Sequence, residues 1–272
     1  MKLISNTFIL AALALASCQP SEDKTTETTE ETTEINAAAT FPAYFEQVLQ
    51  AHGGLEKWQQ FGGMQYELQT DLGGNPATET HIIDLKTRKD LVKGGDYTIG
   101  FDGQQVWVSP NRAAYPGKSA RFYHNLFFYF YTIPFVLADP GVNYEQLDDL
   151  ELEGKTYRVI STSFGEGIGD TPEDQYRMLI NPETNQMEWL LYTVTYFGSE
   201  NVQFNALKYE DYQEQQGLLL PGKLTGYKYE NGQIGDVRYK VSFENVQLMQ
   251  EQPAAEQFAM PANAEVDSLG NK

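Results

Sequence analysis

The 272-residue chain contains one cysteine, three histidines and three tryptophans. Its cysteine, Cys18, has no partner within the chain, so no internal disulfide supports the fold and stability must come from a core. The histidines, His52, His81 and His124, are scattered without metal-ligand spacing, and no metal or cofactor is expected. Basic residues are scarce as well: 19 face 38 acidic ones, for a net charge of -19. Nucleic acid binding needs a positive surface that displaces counterions, so nucleic acid is excluded as a partner. Charge-driven docking on an anionic membrane face is excluded likewise. No apolar run reaches the about 20 residues that a spanning helix needs.

Catalytic signatures are missing too. There is no Gly-x-Ser-x-Gly elbow. "FGEGIGD" (Phe164 to Asp170) imitates a phosphate loop, but Pro172 and the strand-like "QYRMLI" follow where a helix should open. We read it as a rim loop. Asp148-Asp149 and Glu173-Asp174 lack the alternating ligand spacing of a calcium loop and read as solvated. Any pairing of carboxylates for glycoside chemistry is set by the fold and not by the sequence. The expectation is a protein that is not an enzyme.

What is present begins at the N-terminus. "MKLISNTFILAALALASC" has Lys2, an apolar run from Phe8 to Ala16, and small residues before Cys18. That is the length and flank pattern of a secretory signal. Leu15-Ala16-Ser17-Cys18 resembles the lipobox of bacterial lipoproteins, which implies a signal peptide over residues 1–17 and lipidation of Cys18. The resemblance also implies a lasting membrane tether, since a single acyl chain alone anchors only marginally. Residues 18–40 follow as an acidic Thr/Glu-rich segment without aromatics, read as a disordered linker. Acidic residues close to such a cysteine also resemble surface-export signals of some Bacteroidetes lipoproteins.

A single folded domain is expected over 41–266, with 267–272 as a tail. Phe41, Phe45, Val48 and Leu49 share one helical face, which Gly53-Gly54 ends. His52, at that helix end, reads as structural. The pattern then changes to period two, as in Met64-Tyr66-Leu68 and Tyr239-Val241-Phe243. Asp102-Gly103 and Asn231-Gly232 are tight-turn signals. "MEWLLYTVTYF" (Met187 to Phe197) is apolar on both sides, as for a strand covered on both faces. The sum is about ten antiparallel strands in a meander, with no βαβ alternation.

Between two groups of strands lies "HNLFFYFYTIPFVLAD", His124 to Asp139. Eight aromatic residues fall between Phe122 and Phe135, and no charge occurs from Asn125 to Ala138. We expect a helix from Ser119 to about Tyr131 and a second short one with Thr132 as its N-cap. Helices apolar all round are buried on more than one side. The fold class is therefore α+β: a curved antiparallel sheet with helices packed in its concave face.

That architecture resembles the LolA-type half-barrels, bacterial carriers that hold lipid or acyl chains between a curved sheet and a helical plug. Phe101 to Trp107, "FDGQQVW", is similar to their DG-x-x-x-W hairpin, and "MLINPETNQMEWL" to their strand, Asn-Pro turn, strand. "AHGGLEKWQQF" and "FAMPANAEV" look closer still to a group of flavobacterial lipoproteins of unassigned function. The resemblance implies a lipid or other hydrophobic small molecule as partner. It implies a cell-envelope location, at the outer membrane on its periplasmic or external face. The lipobox departs from the unanchored carriers of that family and favours a fixed receptor or acceptor over a shuttle.

The helical stretch divides into two stripes: Phe122, Leu126, Tyr129 and Phe130, and beside them Tyr123, Phe127 and Tyr131. Phe122, Leu126, Phe130, Phe135 and, from the hairpin, Trp107 are the candidate ligand-binding residues. The alternative is a structural or protein-interaction module whose aromatic helix is fully packed core. A continuous apolar cavity of about 300 Å³ or more beside Phe122 to Phe135 separates the two.

Overall fold

The computed structural model describes residues 41–165, 167, 169–198 and 202–268. The signal, Cys18 and the acidic segment lie outside the described residues. Helix α1 (Ala43–Ala51) turns Phe45, Val48 and Leu49 inward, as their spacing requires. Gly53 and Gly54 end it with φ values of +108° and +88°. No side chain fits at Gly53, where a Cβ would lie 2.3 Å from the Gly217 carbonyl oxygen. Helix α2 (Leu55–Gln59) follows and buries Trp58. His52 is fully buried and donates Nδ1–H to the Val48 carbonyl oxygen at 2.8 Å.

Strands β1 (Gly63–Asp71), β2 (Pro76–Asp84), β3 (Asp90–Lys93), β4 (Thr98–Phe101) and β5 (Val106–Ser109) form one meander. A second contains β6 (Val142–Leu152), β7 (Lys155–Phe164), β8 (Tyr176–Ile180), β9 (Met187–Tyr192) and β10 (Asn205–Glu210). A small ribbon, β11 (Gln213–Gln215) with β12 (Leu218–Leu220), precedes β13 (Lys223–Glu230) and β14 (Gln233–Met249). The meanders join where β14 pairs antiparallel with β1, and β15 (Glu265–Val266) adds to β5. Thirteen strands form one open sheet whose edges are β15 and β6. The count exceeds expectation because β3, β4 and β5 have four residues each and β15 two, too few to display an alternation. Asn231-Gly232 makes the expected two-residue turn, both residues at positive φ, joining Glu230 to Gln233.

This topology fixes where the aromatic stretch goes. The chain leaves β5 beside one edge and re-enters as β6 at the other, so the stretch between them must cross one face of the sheet. It crosses as α3 (Ala120–Tyr123), α4 (Leu126–Thr132) and a 3₁₀ turn, Phe135–Ala138. The Ser119 hydroxyl caps α3 by accepting the Phe122 N–H at 3.2 Å. The expected continuous helix is interrupted at Asn125 (φ -112°, ψ 0°), which leaves the helical region, while His124 keeps a helical backbone and bonds Asp90 through its side chain. Thr132 does not cap the next turn; its hydroxyl donates back to the Phe128 carbonyl oxygen at 2.8 Å.

Strand parity divides the apolar residues between two faces. Met64, Tyr66 and Leu68 of β1, with Val241 and Phe243 of β14, meet the helices on the inner face. Tyr131 stacks on Phe243 at 3.8 Å between ring centres, and Phe135 stacks on Trp58 at 5.1 Å. On the outer face Trp189 and Leu191 of β9 pack with Tyr157 and Leu179, so β9 is covered on both sides as read. A second outer cluster joins Ile82, Leu91, Trp107 and Phe258.

The expected tail boundary needs correction at its first residue. Asp267 is buried, and its Oδ2 accepts the Ala120 N–H at 2.5 Å and the Arg121 N–H at 3.3 Å. The same oxygen lies 3.2 Å from Arg112 Nε. The C-terminal segment thus pins the start of the crossing helices, a long-range contact with no local signal.

Candidate functional site: a cavity beneath the crossing helices

Between the crossing helices and the β6–β9 end of the sheet is a cavity of about 330 Å³. Its helical wall carries Phe122, Leu126, Tyr129, Phe130, Val136 and Leu137. Phe122 comes from α3, while Leu126, Tyr129 and Phe130 recur at helical spacing on one face of α4. Phe164, Tyr176 and Tyr192 form the opposing wall. Phe130 meets Tyr192 at 4.8 Å between ring centres, and Phe122 lies 4.9 Å from Phe197, which is 41 % exposed.

The neighbouring stripe is packed instead. Tyr123 donates its hydroxyl to Glu79 Oε2 at 2.6 Å, Phe127 meets Tyr239 edge-on, and Tyr131 fits between Tyr66 and Phe243. Burial pushes the Glu79 carboxyl up, yet hydrogen bonds from His81, Tyr123 and Tyr97 outweigh it and hold it below the usual range. This network ties the helices to β2 and contributes nothing to the cavity wall.

Of the five candidates from sequence, the structure brings three to the cavity: Phe122, Leu126 and Phe130. Trp107 is elsewhere. It lies on the outer face, donates Nε1–H to the Phe258 carbonyl oxygen at 3.1 Å and covers Gly100, where a Cβ would lie 2.2 Å from the indole. Val106 and Val108 point inward, so Trp107 between them must point outward, and parity along "VWV" carries that signal. Phe135 is also absent from the wall, being fully buried against Trp58.

Sequence reasoning missed the polar rim. Arg121 grips Asp170 with two hydrogen bonds, Nε to Oδ2 at 2.7 Å and Nη2 to Oδ1 at 2.8 Å. Those bonds raise the guanidinium above its ordinary range. Asp139 is held by Arg88 at 2.6 Å. Asp174, expected to be solvated, is buried, its Oδ1 accepting Thr193 Oγ1–H at 3.0 Å and Thr195 N–H at 2.8 Å. Gly169 and Asp170 of the "FGEGIGD" segment do reach the cavity. His124 lines it too and donates Nδ1–H to the buried Asp90 at 2.6 Å. Only the fold brings these groups together.

The arrangement can enclose an apolar chain and meet a polar end at its rim. A carboxylate-oriented imidazole is one part of a nucleophilic constellation, but no serine or cysteine stands among the described lining residues. Among the described residues, no group of three or more His, Cys, Asp or Glu is placed to hold a metal, and no helix is long and apolar enough to cross a membrane.

An open antiparallel sheet with helices laid across one face is a LolA-like fold. A LolA superfamily protein from Nitrosomonas europaea superposes with a TM-score of 0.51 at 10 % identity, covering 78 % of this chain and 96 % of that one. A DUF1329 family protein from Desulfovibrio piger gives a TM-score of 0.49 at 10 % identity, over 76 % of this chain and 92 % of that one. A family model described as a family of unknown function (DUF6503) matches residues 105–221, from the end of the β4–β5 turn through β12. No curated protein matches the sequence.

Proposed function

We propose that the protein is a membrane-tethered envelope lipoprotein that binds a hydrophobic ligand, a lipid or acyl chain, between its sheet and its aromatic helices, without catalysis. The observation that carries this reading is the cavity of about 330 Å³ whose apolar wall includes Phe122, Leu126 and Phe130. A structural plug would fill that space, since cores close to crystal-like density. Each methylene taken from water into it contributes about 0.8 kcal/mol. The lipobox-like run ending at Cys18 supplies the tether, and an outer-membrane placement, facing the periplasm or the exterior, follows from that resemblance.

Two measurements test the reading. Native mass spectrometry of protein extracted from its own host is expected to show a co-purifying lipid. Alanine substitutions are then compared for melting and for uptake of a fluorescent monoacylglycerol. Tyr131→Ala removes a fully packed ring and is expected to cost about 3–5 kcal/mol. Leu126→Ala widens an existing cavity wall, so it costs less than Tyr131→Ala while weakening uptake severalfold. Equal stability losses at both positions, together with no uptake by the wild type, would return the helices to a purely structural role.

A further inference from the structure

The walls of the cavity are built largely from rings. Eight of the described residues that line it are phenylalanine or tyrosine, against five leucines and valines, although aromatic residues make up only 13 % of the chain. The rings stand on both sides. On the helical side are Phe122 of α3 with Tyr129 and Phe130 of α4. On the sheet side Tyr176 of β8 is paired directly with Tyr192 of β9, and Phe164 of β7 meets Tyr176 edge-on at 5.5 Å between ring centres. Three neighbouring strands thus bring rings to one face. Phe130 approaches Tyr192 to 4.8 Å between ring centres and joins the two walls.

Saturated and conjugated ligands use such walls differently. A saturated chain gains from burial in proportion to the apolar area it removes from water, whatever lines the site. A ligand ring gains that burial and adds the quadrupolar attraction of offset or edge-on contact with each ring it meets. The polar lining offers a second match. The Asn125 amide and the Tyr176 hydroxyl border the same space and have no hydrogen-bond partner among the described residues. Burial holds the Tyr176 phenol above its usual range, so it keeps its proton and can donate. A ligand carbonyl oxygen would accept from either group.

We infer that the cavity prefers flat, conjugated ring compounds that carry a carbonyl oxygen, quinone-type rings among them, to saturated chains. This rests on the hydrophobic-ligand reading and narrows its ligand class. Hydrophobicity alone predicts the opposite order, because a saturated body of equal carbon number exposes more apolar surface to water than a flat aromatic one. The ring-bearing walls must therefore reverse a ranking and not merely sharpen it.

Calorimetric titration of the full-length protein with three twelve-carbon methyl ketones tests this, each below its solubility limit at pH 7.5. The probes are 2-acetylnaphthalene, its fully hydrogenated analogue 2-acetyldecalin, and 2-dodecanone. The carbonyl group is constant, while the body changes from flat and conjugated to rigid and saturated, then to flexible and saturated. The naphthyl ketone is expected to bind at least fivefold more tightly than either saturated ketone. Phe130→Leu keeps an apolar side chain and removes one ring. It is expected to weaken the naphthyl ketone at least threefold and to shift the saturated ketones less than twofold. Phe122→Leu, at a half-buried position, gives the same comparison should Phe130→Leu not fold. A saturated ketone binding as tightly as the naphthyl ketone would overturn the inference and leave the hydrophobic-ligand reading standing. So would equal losses for all three probes in the leucine variant. Failure of all three to bind would overturn the underlying reading and the inference with it.

Discussion

His52 shows how one side chain ties the fold to pH. It lies at the end of α1 with no exposed surface, its Nδ1–H bonded to the Val48 carbonyl oxygen. Burial lowers its pKa to about 4 from an ordinary 6.5, against the opposing pull of that carbonyl. The unfolded chain therefore takes up a proton below pH 6.5 while the folded chain does so only near pH 4. Stability from this group is complete above pH 6.5, declines as pH falls, and levels off below about 4. Each pH unit within that window removes about 1.36 kcal/mol, so the loss at pH 5 is about 2 kcal/mol. Replacing His52 by Gln removes that titration. Urea midpoints at pH 7 and pH 5 are expected to differ less in His52→Gln than in the wild type, by an amount corresponding to about 2 kcal/mol. Identical differences in the two proteins would mean that the imidazole is not held neutral by burial.

The crossing helices depend on contacts remote in sequence. Asp267 accepts two N–H groups at the start of α3 and pairs with Arg112, all from within a buried position. Asp267→Asn weakens each contact at once and is expected to cost about 2 kcal/mol, as hydrogen bonds to a charged group do. Amide exchange at Ala120 and Arg121 is expected to accelerate in the same variant, whereas a purely global effect would speed core and helix alike. An unchanged melting temperature would show that the helices hold themselves. This contact also shows the limit of legibility. Alternation read β1 and residues 239–243 of β14 from sequence, since their alternate side chains face the inner core. β9 was legible as a run apolar on both faces, and the β13–β14 turn from Asn231-Gly232. Helical spacing likewise separated the stripe of Phe122, Leu126 and Phe130 from that of Tyr123, Phe127 and Tyr131. Spacing could not reveal the contact of His124 with Asp90 from β3 beside the helix break, nor the burial of Asp174 and Asp267. Each of these follows from an ion or hydrogen-bond partner that only the folded sheet brings near. Trp107 differs for another reason: its place on the hairpin suggests the cavity, whereas the inward parity of Val106 and Val108 turns it to the outer face.

At the scale of the whole molecule, the described body and the acidic segment that precedes it in sequence are expected to serve separate ends. Residues from Phe41 onward form one compact unit. Residues 19–40 contain six acidic residues, no aromatic and a Thr/Glu rhythm, and we propose that they act as a spacer. If they serve only as a spacer behind Cys18, tethering and folding are separable properties. Cys18→Ser is then expected to move the protein from the membrane fraction to the soluble fraction of fractionated cells and to abolish incorporation of a clickable fatty acid. A chain beginning at Phe41 is expected to melt within a degree or two of one beginning at Gln19, since tail changes usually cost under about 0.5 kcal/mol. Ligand uptake by the shorter chain should equal that of the longer, because the cavity is built wholly from residues between Phe101 and Tyr196. Label persisting on the serine variant would place the lipid elsewhere. A large loss of stability on truncation would mean that the acidic segment packs against the body, and the boundary at Phe41 would have to move toward the N-terminus.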